Sequence, residues 1–79
     1  MRIKTMANQK VFCIIDSDHV YHDVSNTLRG AQIKATKDGW QSVGVRWVNS
    51  GQLVRLCDKH QSKWVFTQYG NDLKQRGII

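Results

Sequence analysis

The chain has 79 residues and a mass of 9.1 kDa, and its twelve Lys and Arg stand against six acids, all Asp, for a net charge of +6 and a pI near 9.8. That length supports one small domain, and a domain this basic has a field suited to a polyanion. Two cysteines, Cys13 and Cys57, are too few for a disulfide scaffold, and no apolar run nears the roughly 20 residues of a membrane span; a hydrophobic share of 41% with three Trp excludes a disordered basic tail.

In chain order, residues 1–9 read as a flexible leader without the apolar segment of a secretion signal. Residues 10–79 read as a single domain. Lys10 to Asp16 is β-branched and apolar with a charge at each end, the pattern of a buried strand. Ser17 or Asp18 then caps an expected helix over His19 to Arg29, stopped by Gly30, with Val20, Val24 and Leu28 as its apolar stripe.

Two readings compete for Ala31 to Gly51. Spacing supports a helix over Ala31–Asp38 stopped by Gly39, then a second helix over Gln41–Asn49. Propensity supports strands Gln32–Lys37 and Trp40–Val48 around an Asp38-Gly39 turn. Beyond this centre, Leu53–Cys57 and Lys63–Gln68 form an expected β-hairpin around Asp58–Ser62. Tyr69–Arg76 is an expected terminal helix capped by Asn71 or Asp72, and Ile78-Ile79 an apolar end suited to packing or self-association.

Catalytic chemistry finds little footing. His19 and His22 lie near three Asp but lack a third and fourth ligand at metal-site spacing, so no metal is expected. Cys13 sits inside an apolar run, where a thiol is inert packing, and the six glycines form no phosphate loop. Hence the expectation is a protein that is not an enzyme, with no cofactor and no small-molecule substrate.

The spacing of Ala35, Gly39, Val45 and Val48 meets the demands of a helix-turn-helix. A small residue sits where two helices cross, a glycine at the bend, and apolar residues on the inner face of the second helix. The stretch Gly30–Gly39, then Gln41-Ser42 and Val48–Gly51, resembles the helix-turn-helix of Cro-type phage repressors. Val45–Leu53 with Lys63–Phe66 and Asn71–Lys74 resembles the Cox and excisionase proteins, while Lys34 and Asp38 depart from the usual apolar pattern. The resemblance implies an α+β fold: an N-terminal strand, three short helices containing the helix-turn-helix, a β-hairpin wing and a short C-terminal helix.

By that resemblance Gln41, Ser42, Arg46 and Asn49 would meet base edges of duplex DNA, and Gln32, Lys34, Lys37, Lys59 and Lys63 its backbone. The function so implied is a phage or mobile-element repressor or excision factor in the bacterial cytoplasm or nucleoid, acting as a homodimer or higher assembly on DNA. The alternative is a small β-meander of SH3-like or Sm-like type that binds RNA or a host protein, for example as a phage-encoded inhibitor.

Overall fold

A computed structural model describes residues 9–79, so the expected leader lies, but for Gln9, outside the described residues. The elements are β1 (Lys10–Ile15), β2 (Tyr21–Ser25), α1 (Leu28–Asp38), β3 (Ser42–Trp47), β4 (Leu53–His60), β5 (Lys63–Phe66) and α2 (Gln68–Gln75). The strands form one antiparallel sheet in the order β2-β1-β3-β4-β5.

Alternation along the strands assigns the two faces. Phe12 and Ile14 of β1 stand opposite Val45 and Val43 of β3, and with Leu56 and Cys57 of β4 they meet Ala31 and Ala35 of α1 in one core. Leu73 of α2 and Ile79 pack against the same cluster, so both helices serve this face. Ala31 and Ala35 are fully buried, and their small side chains let α1 settle close on β1 and β3. Each fully buried Val or Leu contributes about 1.5–3 kcal/mol relative to exposure. Two bulges help shape the sheet. Val24 is the extra residue of β2, and Leu56 is the extra residue of β4, which brings Leu56 beside Cys57 in the core.

The expected helix-turn-helix is absent among the described residues, and the correction has specific causes. The helix expected over His19–Arg29 gives way to a turn and β2. Asp16 closes that turn: its Oδ1 accepts from the Asp18 and Val20 amides at 2.8 and 3.0 Å, and its Oδ2 bonds His22 Nε2 at 2.8 Å. These local bonds compete with a helix start. Of the supposed stripe, Val24 and Leu28 reach the core while Val20 stays half exposed. Helix α1 begins instead after Thr27, whose hydroxyl accepts from the Gly30 amide at 3.0 Å, so Gly30 lies inside the helix and does not end it.

Gly39 does stop α1, with φ +82° and the Trp40 amide donating to the Ala35 carbonyl at 2.8 Å. The next element is strand β3, not the second helix expected over Gln41–Asn49. Nor does Gln32–Lys37 form the strand of the competing reading, since those residues are helical. The sheet does contain a β3-β4-β5 meander, as the alternative reading requires of its last three strands. Strand β4 runs on past the expected Cys57, with Asp58, Lys59 and His60 paired and Gln61-Ser62 alone at the tip, while β5 stops at Phe66, short of the expected Gln68, because Thr67 caps α2. Helix α2 starts one residue early, capped by Thr67 rather than Asn71 or Asp72.

Candidate functional site

Five of the six aspartates are already committed to a partner. Asp16 holds His22, Asp23 holds Arg46, Asp38 holds Lys34, Asp58 holds Arg55 and Asp72 holds Arg76. Among the described residues that leaves Lys10, Arg29, Lys37, Lys59, Lys63 and Lys74 with no acidic side chain in salt-bridge range, so the excess charge is distributed unevenly over the surface. Three of these cations gather where α1 passes the β4–β5 hairpin.

There, a cleft of about 370 Å³ is lined by Arg29, Gln32, Ile33, Thr36 and Lys37 of α1 and by Trp64 of β5. Arg29, Ile33 and Lys37 fall at i, i+4 and i+8, one stripe along the exposed side of the helix. Ile33 is 57% exposed, an unusual place for a branched aliphatic. Lys59 stands across the strands from Trp64; its Nζ lies 5.3 Å from the ring centre and donates to Thr36 Oγ1 at 2.6 Å, tying hairpin to helix. Gln32 donates an amide hydrogen to Cys57 Sγ at 3.6 Å, which steadies it against the sheet. The lining thus combines an aromatic ring, an exposed aliphatic and flanking cations, with no carboxylate.

Two further cations lie over aromatic rings: Lys10 over Trp47 at 5.6 Å and Lys74 over Phe66 at 4.8 Å. Trp47 packs against the core from β3. Trp40 is 37% exposed just after Gly39.

The face of the sheet away from the helices carries two polar clusters beside the apolar Ile15 and Tyr21. Arg46 grips Asp23 through Nε at 3.1 Å and Nη2 at 2.6 Å, and the Cys13 thiol donates to the same carboxylate at 3.2 Å. Arg46 first, and then the thiol, hold the Asp23 carboxyl below its ordinary range. Burial first, and then that hydrogen bond, push the Cys13 pKa up to about 12. Beside it, Ser42 Oγ donates to Asp58 Oδ1 at 2.7 Å and accepts from Arg55 Nη2 at 2.7 Å. Asp16 is likewise held low, chiefly by its bond to His22 and next by the Val20 amide.

The residues expected at base edges are therefore not on a recognition helix. Ser42 is buried in β3 and Arg46 is engaged by Asp23. Gln41 lies in the link before β3, where its carbonyl accepts from the Lys59 amide, and Asn49 lies in the β3–β4 turn. The residues expected at a backbone fare differently. Gln32, Lys37 and Lys59 converge on the cleft, Lys34 is paired with Asp38, and Lys63 is exposed beside the hairpin tip. Arg29 and Ile33 escape the sequence reading because the expected first helix ends at Arg29. Trp64, alternating with Phe66 along a strand, reads from sequence only as core. Once α1 is known to start at Leu28, the i, i+4, i+8 stripe is plain in the sequence. Among the described residues no three metal-ligating side chains come together, and no helix is long and apolar enough to cross a membrane.

Fold and site together define a five-stranded antiparallel sheet with two helices on one face and a cationic, aromatic cleft between helix and hairpin. Comparison with protein-family models, with curated proteins and with solved structures returns no match.

Proposed function

We propose that the chain is a small, non-catalytic RNA-binding module that engages its ligand at the cleft between α1 and the β4–β5 hairpin. The observation that carries this reading is how the charges pair: five of the six aspartates are engaged by other side chains, while Arg29, Lys37 and Lys59 lie around Trp64 with no acid in the cleft lining. Uncompensated cations neutralise phosphates and release counterions, and an aromatic ring among them offers a stacking surface. A helix lying along a sheet, with no second helix protruding, suits a groove-bound strand better than the major groove of duplex DNA. One cleft engages a short stretch, so useful affinity calls for several copies on neighbouring sites.

A salt titration tests the reading. Binding to an RNA hairpin with an open loop is expected to weaken with salt. Three neutralised phosphates, at about 0.7–0.9 each, give a log–log slope of about −2 to −3. The exposed Lys37→Ala variant should bind less tightly and with a slope smaller by just under one. A flat salt response, or tight binding to an acidic polypeptide in place of RNA, overturns the proposal.

A further inference from the structure

Resting on the RNA-binding reading, the geometry points to a more specific occupant: we infer that the cleft takes one unpaired nucleobase between Trp64 and Ile33, with the flanking phosphates on Arg29 and Lys37. The ligand is then single-stranded at the point of contact.

The argument starts from the stripe on α1. Arg29, Ile33 and Lys37 alternate cation, aliphatic, cation along one side of the helix. Eight residues at about 1.5 Å each place the two cations about 12 Å apart along the axis, with Ile33 midway. Opposite this stripe, across the cleft, stands Trp64. A ligand complementary to such a surface is flat and apolar at its centre and anionic at both ends. A nucleotide within a strand has that form, its base in the middle and a phosphate on either side. In a duplex the base faces are stacked on neighbours and its phosphates alone are offered, which would leave Ile33 and the open part of the Trp64 ring untouched by the ligand.

Size agrees. At about 370 Å³ the cleft is near the small end of ligand pockets, which run from about 300 to 1,000 Å³. That is room for one planar group, not a folded peptide. The cleft is also braced at both walls. Thr27 caps the first turn of α1, and the Lys59–Thr36 hydrogen bond links the helix to the strand that pairs with β5. Gln32, bonded to Cys57 through one amide hydrogen, retains its carbonyl oxygen as an acceptor for the edge of a base.

The test compares oligouridine with the same strand annealed to oligoadenosine, reading both affinity and tryptophan emission of the intact chain. Single strand is expected to bind more tightly than duplex and to quench emission, with duplex quenching little. The Trp64→Leu variant should lose roughly 5- to 150-fold in affinity for the single strand, the range for stacking one base on an aromatic ring. Trp64→Phe should keep most of the affinity while losing the quenching, and this variant preserves a ring in the core if Trp64→Leu fails to fold. Equal affinity for the two forms, with unquenched emission and a normal salt slope, overturns the stacked base and leaves RNA binding standing. No binding to either form overturns both.

Discussion

At the residue scale, two positions show how tertiary contact assigns a side chain its role. Cys13 is fully buried, its thiol bonded to Asp23 and its pKa pushed to about 12. A thiol so protonated is a poor nucleophile. Cys57, buried in the core, is also shifted upward, chiefly by burial. Both should resist alkylation in the native protein at neutral to mildly alkaline pH and label together on unfolding, as mass spectrometry after a denaturant series would show. Labelling of Cys13 without unfolding would contradict its burial beneath the Asp23–Arg46 pair. Gly44 is the second case. A Cβ there would collide with the Tyr21 ring and come 2.7 Å from the Val54 carbonyl oxygen, so the absence of a side chain lets Tyr21 lie over β3. Gly44→Ala is expected to destabilise by about 1–3 kcal/mol in urea unfolding. In the middle of a helix the same change would have stabilised by about 1 kcal/mol, so the sign of the effect separates the two folds.

Elements are set by their ends as much as by their middles. Thr67 caps α2 by accepting from the Gly70 amide at 3.0 Å, and its hydroxyl donates to the Arg55 carbonyl at 2.7 Å. Gly70 then rests on the backbone of Leu56, the bulged residue of β4, with no room for a side chain. Cap, glycine and bulge together fix where α2 docks. At the opposite end of β4, the hairpin tip carries Gln61 at φ +51° and Ser62 at φ +69°, both in the left-handed region. A two-residue loop with positive φ at both positions is the kind that favours Asn-Gly. Replacing Gln61-Ser62 with Asn-Gly should raise stability by about 0.5–1 kcal/mol, measured by thermal unfolding. No gain would mean that the tip is relaxed despite its backbone angles. The cleft borders this hairpin, so under the RNA-binding proposal a stiffer tip that leaves RNA affinity unchanged would assign binding to the strand segment and not to its turn.

Across the whole molecule, charge is sorted: Asp16, Asp23 and Asp58 hold the sheet and its first turn, Asp38 and Asp72 pair along the helices, and six described cations are left without an acid. This makes the fold sensitive to acid. Asp23 and Asp16 have carboxyl groups held below their unfolded values, the first mainly by Arg46 and the second mainly by His22. A depressed folded pKa contributes stability that is present above the unfolded value of about 4 and is lost as pH falls through and below it. The melting temperature should therefore drop on acidification from about pH 5, and Asp23→Asn should start lower and fall less steeply. Parallel curves for the two proteins would show that the Arg46 pair carries none of the acid sensitivity. Lys37→Ala, outside these pairs, should leave the curve unchanged while weakening RNA binding.

Composition by itself determined that the chain is small, folded and strongly basic. Local patterning determined β1, the β4–β5 hairpin and the terminal helix, because apolar alternation and turn residues act over a few neighbours; it left Gly39 open between a helix stop and a hairpin turn. The rest was decided in three dimensions. A buried Ala35 and a bend at Gly39 are required wherever a helix packs closely and then stops, whether a second helix or a sheet lies against it. What lay against it here was Phe12, Ile14, Val43 and Val45, drawn from strands far apart in the chain. The same holds for the cleft, whose walls come from residues 29–37 and from Trp64. No spacing rule joins them, and the cleft arises only when the hairpin folds back beside α1.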